Sequence, residues 1–247
     1  MNSATVLDFF TQNDAGTGVI ADFSLLNLTN AQVESLAESF AFGYEVCTAS
    51  DTTTENFLAI GTNNSRAAAQ TTANGRVWGN VVNAIKTYVS SNDPQVVILG
   101  GSDLESWGYQ SEPAAMNWIA GYDNTATQGY YDFGSADGCS QTSDANGTCS
   151  VPGSTDWNQF DYWYASWGAP LAFPVPEIPY VAEAEQWGEI DDYGTAHQSN
   201  TMTFIGPMSE NARISGALTA NQAWNDLQTY TGQNGFAFNI RLSSGGA

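Results

Sequence analysis

Two carboxylates two residues apart close an apolar run: Val96-Val97-Ile98-Leu99-Gly100-Gly101-Ser102-Asp103-Leu104-Glu105. In an extended chain residues i and i+2 project to the same side, so Asp103 and Glu105 leave the end of a strand together. Paired carboxyl groups are the apparatus of glycoside hydrolysis: one gives a proton to the leaving oxygen, and the other attacks the sugar or activates water. Two carboxylates held close on one face push one pKa upward, which suits the proton donor. Further acids stand where strands, or the loops after them, are expected to end: Asp22, Asp132 and Glu177. Glu105 and Glu177 are read as the acid/base pair and Asp103 as an orienting or second carboxylate. Asp22 and Asp132 are read as shaping the substrate site. The competing reading is that such acids cap the next helix or bond loop amides. Trp107, two residues past Glu105, and Trp167, at the end of an aromatic segment, are read as platforms for a pyranose, since an indole face stacks on the C–H face of a sugar. Packing is the alternative for both, and the expected role of Trp187 and Trp224.

Other chemistries have less to stand on. His197 is the single histidine, so a histidine-based metal cluster is excluded and a Ser-His-Asp triad has one possible base. It stands in a polar stretch and reads as a solvated imidazole. No G-x-S-x-G elbow, P-loop or G-x-G-x-x-G follows a strand. The cysteine spacing does not suit zinc. Asp144-Ala145-Asn146-Gly147 is part of a calcium-loop pattern, but Thr142 would occupy the first position and the bidentate glutamate is missing. No cofactor and no metal are therefore expected.

The composition narrows the partners. The 247 residues carry 26 Asp and Glu against five basic side chains, Arg66, Arg76, Lys86, Arg213 and Arg241, for a net charge of −21. Such a surface repels phosphate backbones and anionic lipid heads, so nucleic acid and membrane surfaces are not expected as partners and a neutral polysaccharide is compatible. No apolar run approaches the ~20 residues of a membrane span. Few lysines and many Ser, Thr, Asn and Gln fit an extracellular protein. Residues 1–5 have neither the basic start nor the apolar core of an export signal, so an exported chain is expected to have lost one. Cys139 and Cys149 flank a loop of disulfide-compatible length, but Cys47 could pair with either, and three reduced thiols form the cytosolic alternative. Asn27, Asn63 and Asn146 begin N-x-S/T sequons, motifs short enough to occur by chance.

The elements that must position these residues follow from periodicity. Residues 1–17 read as an N-terminal arm. Val19–Phe23, Tyr44–Cys47, Phe57–Gly61, Val96–Leu99, Gly129–Phe133, Phe160–Trp167, Met202–Ile205 and Phe236–Ile240 read as strands. A helix starts near Thr29, whose capping-box partner is Gln32, and ends at Gly43. Others run from about Gly75 to Ser90, Pro113 to Gly121 and Val181 to Tyr193. The last follows Thr219, which has capping-box spacing to Gln222. Pro170–Pro179 is a loop holding Glu177, and 243–247 is a flexible tail. Strands alternating with helices over 18–242, without a linker or repeat, predict one α/β domain: an irregular (β/α)8 TIM-like barrel, with a doubly wound sheet as runner-up.

Five blocks carry a resemblance: Phe57–Asn64, Leu99–Glu105, Tyr131–Cys139, Trp163–Ala169 and Pro176–Ile178. They resemble a group of secreted bacterial proteins of uncharacterised function and, more distantly, glycoside-hydrolase-like barrels related to lysozyme-type glycosidases. The resemblance implies a secreted barrel but transfers no reaction. Those relatives often have a histidine before the second helix, where this chain has Asn74-Gly75. Two functions are thus expected in competition. One is a secreted glycoside-hydrolase-like protein acting on a polysaccharide or cell-wall glycan. The other is a non-catalytic extracellular module of the same fold that binds glycan or self-associates into a cell-surface or filament assembly.

Overall fold

A computed structural model describes residues 3–21, 26–48, 51, 53–63, 69–106, 111–141, 147, 149, 156–209, 214–233 and 239–244. The chain opens with strand β1 (Ser3–Asp8), followed by three short strands, β2 (Thr11–Gln12), β3 (Gly18–Ala21) and β4 (Leu26–Thr29). Helix α1 (Asn30–Thr48) leads to β5 (Asn56–Thr62), α2 (Thr72–Asn92) to β6 (Val96–Ser102), and α3 (Glu112–Asp123) to β7 (Tyr130–Asp132). Helix α4 (Gln159–Trp163) passes into a π-helical turn (Tyr164–Gly168) before β8 (Ala172–Pro174). Helix α5 (Val181–Tyr193) ends in a second π-turn (Gly194–Gln198), and α6 (Ala220–Thr231) precedes β9 (Asn239–Ser244).

The fold is α/β. Six strands form one sheet in the order β8-β7-β6-β5-β1-β9, every neighbouring pair parallel. From β1 to β8 the strands step sideways in chain order, and the last strand joins the free side of the first. Beyond β8, Ile205 N–H donates to Pro174 O at 3.0 Å, Met208 N–H to Pro176 O at 2.8 Å and Ile178 N–H to Met208 O at 2.8 Å. The segment expected as the strand Met202–Ile205 therefore lies beside 174–178 and makes one isolated parallel bridge, Glu177 to Met208, rather than a regular ladder. Among the described residues this falls short of eight strands and full closure.

Both faces of the sheet are apolar, as in parallel sheets covered on both sides. Leu7, Leu58, Ile60, Val96, Ile98 and Tyr130 face the helices, packing in one core with Val33 and Ala37 of α1, Trp78 and Ile85 of α2, and Trp118 and Tyr122 of α3. Ala4, Val6, Ala59, Tyr131, Phe133, Val175 and Met208 gather on the opposite face. Each fully buried Leu or Ile contributes about 1.5–3 kcal/mol. Helices α2 and α3 touch backbone to backbone: a Cβ on Gly75 would stand 2.0 Å from Trp118 O, and one on Gly121 2.1 Å from Thr72 O.

Several expectations are corrected. Residues 3–8, read as part of an arm, form a strand inside the sheet, between β5 and β9. Of the strand read at Val19–Phe23, residues 19–21 belong, in β3, to a separate antiparallel sheet β2-β3-β4, and residues 22 and 23 lie outside the described residues. That small sheet is docked by buried amides: Gln12 Nε2 donates to Asn74 O at 3.1 Å, and Trp118 Nε1 donates to Gln12 Oε1 at 2.7 Å. Tyr44–Cys47 is not a strand, because α1 runs through Gly43. Phe40 and Tyr44 pack against the core, which offsets the ~1 kcal/mol a mid-helix glycine costs. Phe160–Trp167 is helical, not extended. Asn158 starts it with a capping box: its Oδ1 accepts from Phe160 N and Asp161 N, and Asp161 Oδ2 accepts from Asn158 N. Its aromatics at 160, 163, 164 and 167 follow helical spacing, and the Phe160 ring lies 6.0 Å from that of Trp163 and 5.9 Å from that of Tyr164. Ser243 and Ser244, read as tail, end β9.

Candidate functional site

In a parallel sheet all strands deliver their carboxyl ends to one edge, and this edge collects acids. Asp8 ends β1, Asp103 follows β6, Asp132 ends β7, and Glu177 stands three residues past β8. Register decides which way each faces. Asp8 is level with Gly61 of β5, Gly61 with Gly101 of β6, and Gly101 with Tyr131 of β7. These residues share the face of Val6 and Ala59, opposite the helices. Two residues on from Gly101, Asp103 keeps that side.

Asp103 is where the acids converge. Its carboxyl is held well above the ordinary carboxylate range, first by burial and then by the negative charges of Glu105, Glu177, Asp8 and Asp132. Carboxylates from four separate parts of the chain thus act on one group. Asp103, Glu105 and Glu177 are half-buried, and Asp8 is buried.

The backbone around Asp103 and Glu105 is pinned through three N–H groups. Asp103 N–H donates to Thr62 O at 2.9 Å. Leu104 N–H donates to Asp132 Oδ1 at 3.1 Å, and Ser106 N–H donates to the Tyr162 hydroxyl at 3.0 Å. Glu105 is oriented by Ser135, whose N–H and hydroxyl both donate to Oε2, at 3.1 and 2.6 Å. Asp8 Oδ1 accepts from Phe10 N–H at 2.8 Å, turning the chain away from the end of β1.

The floor beneath the acids is apolar. A Cβ on Gly61 would meet the Phe133 ring at 3.0 Å and Val6 at 3.1 Å, and one on Gly101 would meet the same ring at 3.0 Å. Glycine at these two positions makes room for a phenyl ring under the carboxylates. Phe133 and Tyr131 are 4% and 3% exposed, so this floor is dry and raises the cost of charge above it.

Asp132 differs. It lies on the helix side with Tyr130, 1% exposed, and accepts from Leu104 N–H, Gly134 N–H (3.2 Å) and the Ser166 hydroxyl (2.6 Å). Burial lifts its pKa to about 7, with the three donors opposing and Glu105 adding to the rise. Read from sequence as a substrate contact, Asp132 ties the loops after β6 and β7 to the π-turn before β8.

The edge therefore brings together Asp103, Glu105 and Glu177, with Asp132 behind them. Trp167 is not among them. It packs half-buried against the helix-side core, and its Nε1 donates to Asn200 Oδ1 at 3.0 Å. Asp22 and Trp107 lie outside the described residues, as do the sequon at Asn146 and most of the loop with a calcium-like pattern. Asp8 was missed, although Ala4-Thr5-Val6-Leu7-Asp8 has the signature used elsewhere, an apolar alternation ending in an acid. Asn74 is a buried amide in α2, its Nδ2 donating to Ala69 O at 2.8 Å and Asn13 O at 3.1 Å. His197 is exposed beside the Tyr193 ring. Cys139 and Cys149 form a disulfide, and Cys47 is a free, exposed thiol. Among the described residues no group of three or more His, Cys, Asp or Glu is arranged to hold a metal, and no helix is long and apolar enough to cross a membrane. No protein-family model matches the chain, and no curated protein or solved structure does so either.

Proposed function

We propose that this chain is a secreted, glycoside-hydrolase-like protein acting on a polysaccharide or cell-wall glycan, and that its sheet is an irregular, incompletely regular member of the (β/α)-barrel architecture. The observation that carries the reading is the convergence on Asp103 of charge from Glu105, Glu177 and Asp8, at the edge where parallel strands end. Barrel enzymes place their reacting groups at that edge.

Asp103, kept protonated by burial and like charge, supplies the proton to the leaving oxygen. Glu105, held by Ser135, and Glu177 flank the anomeric carbon, where a carboxylate attacks or activates water. Ionised groups there also stabilise the positive charge that develops on the sugar. Neutral sugar hydroxyls donate to carboxylates, so the acidic edge suits an uncharged glycan. Export agrees with the disulfide.

The test is a screen of neutral polysaccharides and peptidoglycan with the native chain and with Asp103→Asn, Glu105→Gln and Glu177→Gln. Release of reducing ends by the native chain, lost in the variants, supports hydrolysis. Glycan binding without turnover, unchanged by the substitutions, would leave the non-catalytic module standing in its place.

A further inference from the structure

A cavity of about 360 Å³ opens between the ends of α5 and α6, lined by Asp191 and by residues 201–203 and 231–233. It lies away from the acidic edge. Residues 201–203 come before Ile205, which bonds Pro174, whereas Glu177 of the edge is level with Met208, farther along the same parallel pair. The walls are fixed from both sides. Met202 N–H donates to Asp191 Oδ1 at 2.6 Å. Gln233 takes both backbone groups of Phe204, its Oε1 accepting from N–H and its Nε2 donating to O, each at 3.0 Å. Thr201, Thr203 and Gly232 are exposed, so the cavity communicates with solvent.

Asp191 is the group that calls for a ligand. It is 3% exposed, and while Oδ1 holds Met202, Oδ2 accepts from no group among the described residues. Holding Met202 needs no charge. An amide oxygen would accept the same bond, whereas a buried carboxylate is costly unless a cation meets it. None of the residues that line the cavity is basic, and Asp192 next door adds a second negative charge. Helix α6 ends here, at Thr231, with no basic side chain in its last turn, so its partly negative carbonyl end is left to the same space. We infer that this cavity binds the primary ammonium group of a small organic amine, whose nitrogen donates to Asp191 Oδ2, whatever reaction the acidic edge performs. An ammonium brings three N–H donors to a lining rich in acceptors, and its bond to a carboxylate is charge-assisted. A calcium ion fits less well, since it takes six to eight oxygens and one carboxylate lines the space. The volume has room for about a dozen waters, which suits a molecule of monosaccharide size rather than a bare ion.

The experiment titrates the folded chain with methylammonium, putrescine and glucosamine as chloride salts, at a pH above the value of about 6 to which burial lifts Asp191. Glucose, choline chloride and calcium chloride at matched ionic strength are the controls. Calorimetry reads affinity, and the melting temperature reads the stabilisation that binding brings. The native chain binds at least one of the primary amines with a Kd of about 1 mM or tighter, and its melting temperature rises. Asp191→Asn, which keeps an oxygen for Met202, weakens that binding by about tenfold or more. Thr203→Phe, which crowds the mouth from an exposed position, weakens it as well and decides alone should Asp191→Asn fail to fold by circular dichroism. Preference for glucosamine assigns the site to an amino sugar, and preference for putrescine to a polyamine; both uphold the proposal. Failure of all three amines would overturn it. So would affinities unchanged in a folded variant, or choline or calcium binding as tightly as the amines.

Discussion

Adjacent strands β6 and β7 both run into an aspartate, and the two aspartates live in opposite settings. Asp132 turns toward the helices and accepts from three donors. Asp103 turns to the other face and meets the charges of four carboxylates. Both are pushed above the ordinary range by burial, but for Asp132 the surroundings oppose the push and for Asp103 they add to it. A single residue's step in register separates an acid tied to loop donors from an acid set among other carboxylates.

That contrast can be broken in order of expected size. Asp103→Asn should lower turnover of a responsive glycan by about 10²–10⁴-fold, the range of a lost general acid, while leaving thermal stability equal or higher. Reducing-end assays and calorimetry measure the two. Asp132→Ala should do the reverse, costing about 2–3 kcal/mol of stability by stranding buried donors, as seen in denaturant unfolding. Asp132→Asn should retain most of that stability, because an amide oxygen can accept from Leu104 and Gly134 while its nitrogen donates to Ser166.

The pH dependence sharpens the same contrast. Asp132 binds its proton up to about pH 7 in the native state but only to about pH 4 when unfolded. Between these values the native state holds the extra proton, so stability is full at the acid end and falls as pH rises through this window. Each such proton contributes at most about 1.4 kcal/mol per pH unit. Asp191, lifted to about 6 mainly by burial, acts in the same direction. Melting temperature should therefore fall from pH 4 to pH 7, and Asp132→Asn should flatten the slope. The smallest effect is expected at the floor, where Gly61→Ala presses a methyl on the Phe133 ring and should cost about 1 kcal/mol, within the lower range for overpacking.

Much of this was legible in the residues. β5, β6, α2, α3, α5 and α6 follow from apolar periodicity and from caps such as Thr219 with Gln222. The pairing of Asp103 with Glu105 could be read from their spacing, and the joining of Glu177 to them from the expectation that strands share a direction. What stayed hidden depended on tertiary context. Ser3–Asp8 is short, and the polar, glycine-bearing hairpin after it hides its place between two later strands. Gly43 stops a helix only when nothing packs beyond it, and here Tyr44 does. Phe160–Trp167 has β-forming residue types, so composition spoke for a strand while the spacing of its rings and the Asn158–Asp161 cap spoke for a helix. Which face Asp132 takes required the register.

The clasp between Cys139 and Cys149 closes a separation of ten residues just beyond the loop that carries Ser135. Gln186 Nε2 fastens its near end to α5 through Cys139 O at 2.9 Å. Like charges gathered at one edge repel one another. The disulfide shortens the free run of chain beyond Ser135, the residue that holds Glu105. Reduction would lift that covalent constraint beside the acidic edge while leaving the parallel ladder of the sheet in place.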